Sequence, residues 1–185
     1  MSSVELGSLK VDLGRRYTIA ELDDFPQDGR RYELADGWLL VSPMARRLRQ
    51  LACMRLGAIL EAAAPPELFV FNLPINVDDP DWTHFEPDLT VVGHEFRTIE
   101  NGDLPQLAVE VRSPSTASRD AILKVQAYAR LGIPSYWLVD VTVPSLCALE
   151  LRDGAYEQVA YGDASDVVAI ERPFPVRVVP ASLIT

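Results

Sequence analysis

The spacing of apolar side chains divides the chain into helical and extended segments. Between Met44 and Ala64 apolar residues recur three and four positions apart, which predicts the longest helix, and Pro65-Pro66 ends it. The segment from Ala117 to Leu131 has the same amphipathic spacing. A shorter helix is predicted after Thr18, which begins a capping box. Three helices are therefore expected, two of them long enough to cover a sheet.

Runs of β-branched and aromatic residues predict strands around these helices. The Asp36-Gly37 pair between two apolar runs is typical of the turn of a β-hairpin. In segment 106–112, strict alternation places three apolar side chains on one face of a strand and Glu110 on the other. Further strands are predicted at 68–71, 73–77, 88–92, 135–141, 146–152 and 155–161, with one or two more within 166–179.

The order of these elements predicts an α/β (α+β) fold. A helix between strands 106–112 and 135–141 is typical of a crossover that joins two parallel strands. We therefore expect a mixed β-sheet flanked by helices, with additional β-hairpins. Residues 1–16 show little periodicity and are expected to form a frayed or lightly tethered N-terminal arm, with residues 17–185 as a single domain.

The composition of the chain predicts one globular domain and indicates the cellular compartment in which it works. The chain has 185 residues, of which 48% are hydrophobic, enough for a sizeable core. Its two cysteines exclude a disulfide framework, and it has neither a basic leader followed by an apolar stretch nor an apolar run long enough to span a membrane. We expect a cytoplasmic protein that does not bind membranes.

The charge of the chain is unevenly distributed. A net charge of -10 argues against tight, non-specific binding to nucleic acid. Residues 30–55, however, carry six arginines against two acids, whereas residues 78–103 carry eight acids against one arginine. Arg46, Arg47 and Arg49 on the long helix are either a solvated face or contacts for phosphate groups.

Two carboxylates stand out because of their apolar neighbours. Asp88 begins a buried strand and Glu110 lies inside another. An ionised carboxylate in such a place is costly unless it is paired, hydrogen-bonded or bound to a metal. Either Glu110 pairs with Arg112 on a polar face of the sheet, or Glu110 and Asp88 together bind a divalent cation that offsets their repulsion.

A single lysine on the second long helix is the next candidate. The 17 basic residues include only two lysines, one of which is Lys124, on the same helical face as Asp120 and Tyr128. It is either a surface partner of Asp120 or a catalytic ammonium. An ammonium whose pKa can be lowered suits water activation or charge stabilisation in a way that arginine does not. Glu33 is likewise either the surface partner of Arg30 or Arg31, or part of the same site.

Several of these residues lie in motifs that resemble a known family. Pro87-Asp88 followed by Glu110-Val111-Arg112 resembles the PD-(D/E)XK nuclease motif. From Tyr17 onwards the chain more closely resembles the Uma family of restriction-endonuclease-like proteins. The motifs that carry this resemblance are Arg31-Tyr32-Glu33-Leu34 with Asp36-Gly37, Val41-Ser42-Pro43, Pro87-Asp88-Leu89, Val109-Glu110-Val111 with Ser113-Pro114-Ser115-Thr116, Lys124 with Tyr128, and Gly132-Ile133-Pro134 with Tyr136-Trp137-Leu138-Val139-Asp140.

The resemblance implies a restriction-endonuclease-like fold and a metal-dependent endonuclease that hydrolyses phosphodiester bonds in nucleic acid, with DNA as the expected substrate. It implies Mg²⁺ as the cofactor, with Mn²⁺ as a substitute, bound by Asp88, Glu110 and the carbonyl of Val111. Glu33 would be an accessory ligand or orient a water, and Lys124 would be the catalytic lysine. A homodimer is expected by analogy with enzymes that cut two strands.

Two positions depart from the pattern that the chain resembles. The superfamily has a lysine two residues after the glutamate, where this chain has Arg112, whereas Lys124 fits the Uma pattern of a lysine on the next helix. The long helix often carries a His-Gln pair in the family, and this chain has Arg49-Gln50 there.

Two other functions stay open at this point. A catalytically silent nucleic-acid or protein binding module on the same fold would need neither a metal nor its two carboxylates. An oligomer-forming protein would expose apolar residues such as Phe69, Trp82 and Phe85 as a self-complementary patch.

Overall fold

A computed structural model of the chain describes residues 3–6, 9–12, 14–42, 47–76, 82–93, 104–112 and 118–185. The helices are α1 (Ile19–Leu22), α2 (Arg47–Ala63) and α3 (Ser118–Leu131), and a 3-10 helix spans Pro180–Leu183. The strands are β1 (Ser3–Leu6), β2 (Leu9–Asp12), β3 (Arg31–Ala35), β4 (Trp38–Ser42), β5 (Leu68–Phe71), β6 (Ile75–Asn76), β7 (His84–Phe85), β8 (Leu89–Gly93), β9 (Leu107–Arg112), β10 (Ser135–Asp140), β11 (Ser145–Arg152), β12 (Ala155–Asp163), β13 (Val168–Ile170) and β14 (Val176–Val178).

A six-stranded mixed sheet forms the centre of the molecule. Its strand order is β12-β11-β10-β9-β8-β5. The β9 and β10 pair is parallel, and the other neighbours in this sheet are antiparallel. Helix α3 joins β9 to β10, which confirms the predicted crossover between parallel strands.

A helix covers each face of this sheet. On one face α2 packs its buried stripe against the central strands and the β13/β14 hairpin. That stripe includes Ala52, Leu56 and Leu60. On the other face Tyr128 of α3 packs edge-on against Tyr136 of β10, with ring centroids 5.1 Å apart. The predicted mixed sheet flanked by helices is therefore confirmed.

A second sheet carries the predicted hairpin. Strands β3 and β4 pair around Asp36 and Gly37, whose φ angles of 49° and 79° suit the tight turn that an Asp-Gly pair favours. Short strands β7 and β6 extend this sheet in the order β4-β3-β7-β6. The Gly37 carbonyl accepts a hydrogen bond from the Tyr17 amide at 2.8 Å, and the Gly37 amide donates to the Trp82 carbonyl at 2.5 Å. The turn therefore ties three separate segments together.

The structure differs from the sequence predictions in three places. Residues 3–6 and 9–12 of the predicted arm pair as an antiparallel hairpin, and Val11 is buried beside Tyr17, so this part of the arm is not frayed. The strand predicted at 73–77 is reduced to Ile75–Asn76. Phe85, named for an exposed patch, is fully buried against Tyr128.

Some predictions lie outside the described residues. The first residues of the long helix, at 44–46, and residue 117 at the start of the other helix are among them. Over the described residues no helix combines the length and the apolar character that crossing a membrane requires.

Replacing Gly37 with alanine should destabilise the fold more than the same change at Gly154. Both glycines follow aspartate in a hairpin turn, with φ of +79° and +81°, so alanine meets similar backbone strain at each. A Cβ at Gly37 would also collide with the Trp82 ring, whereas nothing lies within 4 Å of one at Gly154. We expect Gly37→Ala to lose about 1–3 kcal/mol more than Gly154→Ala in urea unfolding, since overpacking typically costs that much. Equal losses would show that Trp82 does not pack against this turn.

Candidate active site

Six ionisable side chains meet where β8 begins and β9 ends. They form a group called here the buried charge cluster, which consists of Arg31 and Glu33 on β3, Arg49 on α2, Asp88 before β8, Glu110 on β9 and Lys124 on α3. The exposed fraction of the side chain is 10% or less for each except Arg31, for which it is 17%. With all six groups ionised, three positive and three negative charges balance.

Asp88 is held by two arginines and one backbone amide. Arg49 donates hydrogen bonds from Nε and Nη2 to both carboxylate oxygens of Asp88. The shortest of them, from Nη2 to Oδ1, is 2.7 Å. Arg31 Nη2 donates to Oδ1 at 2.9 Å. The Val111 amide donates to Oδ2 at 2.7 Å. The carboxylate is therefore neutralised by guanidinium groups from a strand and from a helix.

Lys124 joins the other two acids of the cluster. Its Nζ donates to Glu33 Oε1 at 2.7 Å and to Glu110 Oε1 at 2.8 Å. The Tyr128 hydroxyl also donates to Glu110 Oε1, at 3.2 Å, and the Glu86 amide donates to Glu33 Oε1 at 2.7 Å. One ammonium thus connects the six-stranded sheet to the four-stranded sheet.

Simple periodicities of the chain bring these side chains together. Glu110 lies on the α3 face of β9 because its neighbours Val109 and Val111 face the α2 core. The Asp88 amide donates to the Val109 carbonyl at 2.9 Å, which fixes Asp88 beside the end of β9. Arg31 and Glu33 are two residues apart on β3, so both point to the same side of that strand.

Burial and neighbouring charges set the ionisation of the cluster. Burial raises the pKa of Glu110, and the charges of Glu33 and Asp88 raise it further, although Lys124 opposes this. For Lys124, burial disfavours the ammonium, but the charges of Glu110 and Glu33 outweigh it and raise the pKa. Burial and the charge of Glu110 hold the pKa of Tyr128 well above its usual range, so the phenol remains a donor. Lys124 is thus a fixed positive charge at neutral pH.

Comparison with known proteins identifies the family to which this site belongs. The model of a family described as "Uma2: Putative restriction endonuclease" matches residues 19–182. The chain belongs to the Uma2 family. A crystal structure of "a putative nuclease belonging to DUF820" from Anabaena variabilis has the same fold, with a TM-score of 0.71 and 17% sequence identity over 90% of this chain and 97% of that one. No curated protein matches the chain.

Restriction-endonuclease-like families typically use a divalent metal ion. Among the described residues no three His, Cys, Asp or Glu side chains lie together in a way that could hold a metal by themselves. The donor chemistry still fits a hard cation, because Asp88 and Glu110 supply carboxylate oxygens and Mg²⁺ usually keeps several water ligands. Both acids are buried, and the negative charge of Asp88 contributes to the raised pKa of Glu110.

For the acids and the lysine, the structure excludes the surface interpretations that the sequence left open. Glu33 and Lys124 are buried and paired with each other. Glu110 pairs with Lys124, whereas the buried Nε of Arg112 has no hydrogen-bond partner among the described residues. Of the two roles that the sequence leaves open to a catalytic ammonium, the raised pKa of Lys124 favours charge stabilisation over water activation.

The three arginines interpreted as either a solvated helix face or phosphate contacts do not share one environment. Arg47 is exposed, and Arg46 lies outside the described residues. Arg49 is buried against Asp88, so the solvated-face interpretation is wrong for it. The physical reason is its position three and seven residues before Ala52 and Leu56, which places it on the buried stripe of α2.

Arg31 is the member of the cluster that sequence reasoning missed. It appeared only as a surface partner of Glu33, yet it contacts Asp88, which lies 57 residues away in the chain. Its position two residues before Glu33, on the same side of a strand, is the signal that could have found it.

The fixed charge of this Uma2 lysine can be measured directly because the chain has only two lysines. In a Lys10→Arg background Lys124 gives one signal in protein labelled with ¹³C-lysine, and we expect it to titrate above the ordinary value of 10.5. Glu110→Gln should lower this pKa, because it removes the larger of the two attractive charges. The exposed Glu157→Gln should not change it.

The Lys124 ammonium should stabilise the fold at neutral pH. Because the folded-state pKa of Lys124 is raised, its contribution is complete below the ordinary lysine pKa and is lost as the pH rises through the folded value. A Lys124 signal that titrates near or below pH 10 would contradict the paired geometry.

Proposed function

We propose that this Uma2 protein is a divalent-metal-dependent endonuclease that hydrolyses phosphodiester bonds, with Mg²⁺ as its metal and DNA as its substrate. The observation that carries the proposal is the burial of Asp88, Glu110 and Lys124 at one end of the central sheet in a family of nuclease type. A homodimer would place one such site at each strand of a duplex.

Asp88, Glu110 and the carbonyl of Val111 are the oxygen donors that would hold the metal. When bound, a divalent ion supplies Lewis-acid polarisation of a phosphoryl oxygen and lowers the pKa of a bound water. The chain itself orients the donors, since the Val111 amide and the Asp88 carboxylate are already joined by a 2.7 Å hydrogen bond. This hydrogen bond would hold the Asp88 carboxylate beside the end of strand β9 before any metal arrives.

Lys124 would stabilise the negative charge that develops on the phosphoryl group. Its raised pKa suits this role and disfavours a role as a general base, because a base must be deprotonated to act. Glu33 holds the ammonium in place at 2.7 Å, so it acts by positioning Lys124. Arg47, exposed on α2, and Arg46 are proposed contacts for the substrate backbone.

A catalytically silent nucleic-acid or protein binding module is the second candidate. One observation favours it, namely that Asp88 is already neutralised by Arg31 and Arg49. In that case the buried charge cluster would be a purely structural network, and removing its charges would alter stability without altering any chemistry.

Cleavage of a supercoiled plasmid in Mg²⁺ tests the proposal. Asp88→Asn, Glu110→Gln and Lys124→Met should each lose about 100-fold or more of the cleavage rate, as expected for groups that stabilise a transition state. Chelation of the metal should abolish cleavage by the wild type. The exposed Glu157→Gln makes the same charge change as Glu110→Gln outside the site and should cleave normally.

Two results would contradict this function. Equal cleavage by all the variants would mean that a contaminating nuclease is responsible. Absence of cleavage by the folded wild type, with nucleic-acid binding that Asp88→Asn and Glu110→Gln leave unchanged, would favour the silent module.

A further inference from the structure

The acceptor positions of Asp88 are filled by donors from this chain. A carboxylate offers about four lone-pair sites. Four N–H groups occupy them, from Nε and Nη2 of Arg49, Nη2 of Arg31 and the amide of Val111. A cation that takes Asp88 as a ligand must therefore displace at least one of these donors.

Arg49 is the donor best placed to leave. The Val111 amide is part of strand β9, and Arg31 is also held by Glu86, whose carbonyl accepts from Nη1 at 2.5 Å and whose carboxylate lies 3.5 Å from Nε. Arg49, in contrast, directs all of its hydrogen bonds among the described residues to Asp88. Removing it from Asp88 would break no other hydrogen bond among the described residues.

The charge balance opposes a metal that arrives alone. The six groups of the cluster balance when all are ionised, so a divalent cation would add two positive charges to a largely buried site. A phosphodiester brings negative charge to the same place. The phosphodiester oxygens can also accept two hydrogen bonds from one guanidinium group, as the Asp88 carboxylate now does from Arg49.

We propose that Arg49 occupies Asp88 until nucleic acid arrives and then moves to a phosphate of the substrate, which frees the carboxylate for a divalent cation. Cation and phosphodiester then bind with positive coupling, and Arg49 is the residue that couples them. This inference rests on the proposed function, because it takes Asp88 to be a metal ligand.

The coupling is measured as Mn²⁺ affinity, from the electron paramagnetic resonance of free Mn²⁺, with and without a phosphorothioate oligonucleotide that resists hydrolysis. For the wild type we expect the oligonucleotide to tighten Mn²⁺ binding about tenfold or more, within the usual range of coupling between two sites. Arg49→Gln should bind Mn²⁺ roughly 10- to 100-fold more tightly than the wild type without the oligonucleotide, because a charge-assisted competitor is gone. Its affinity should then respond little to the oligonucleotide.

Two variants complete the design. Arg130→Gln removes the same charge from an exposed pair with Asp36 and should behave as the wild type. Asp88→Asn should lose Mn²⁺ binding with or without the oligonucleotide. If thermal unfolding shows that Arg49→Gln does not fold, the wild-type titrations and Arg49→Lys still test the role of Arg49. Lysine keeps the positive charge but lacks the paired N–H donors of the guanidinium. Arg49→Lys should therefore weaken the coupling between Mn²⁺ and the oligonucleotide.

The outcomes separate this inference from the function on which it rests. If Mn²⁺ binds through Asp88 but neither the oligonucleotide nor the Arg49 variants change its affinity, the role of Arg49 is overturned and the metal site stands. If no variant binds Mn²⁺ under any condition, the metal site is overturned as well.

Discussion

The ion pairs that neutralise three buried carboxylates are the interaction on which this site depends. Glu33, Asp88 and Glu110 lie in a part of the fold where an unpaired charge would cost several kcal/mol, and each is matched by a lysine or arginine. Such networks are seldom more stable than well-packed apolar side chains of the same volume. A gain in stability alone therefore does not explain their presence at one end of the sheet.

The same network connects every layer of the molecule. Arg49 enters from the helix on one face of the central sheet, Lys124 from the helix on the other, and Glu33 from the second sheet. Because both helices and the β3 strand contribute a charge, a shift of any one of these elements leaves a buried group unpaired. The cluster thus fixes the relative positions of the elements that would hold a metal and a substrate.

Short-range patterns explain why much of the fold could be predicted from the sequence. The capping box at Thr18, the Asp36-Gly37 turn and the alternation along β9 each depend on residues only a few positions apart, and all three appear in the structure. The choice of Lys124 also followed from local evidence, since it is one of two lysines in an arginine-rich chain.

The pairing within the site could not be predicted in this way. Arg49 and Asp88 are 39 residues apart, and Lys124 and Glu33 are 91 apart. The crossover and the packing of the two sheets decide which basic residue pairs with which acid. The local periodicity of the sequence contains no information on either. The raised pKa of Lys124 likewise depends on two carboxylates that are distant in the chain and whose charges outweigh the effect of burial.

The proposed site requires Asp88 and Glu110 to share one divalent cation when nucleic acid is bound. This can be tested with a crystal structure of the protein with Mn²⁺ and an uncleaved oligonucleotide, in which the metal is located by its anomalous scattering. We expect one manganese peak bonded to both carboxylates, with the Arg49 guanidinium turned away from Asp88 to a phosphate. A complex in which Arg49 still grips Asp88 and no manganese lies between the two acids would contradict it.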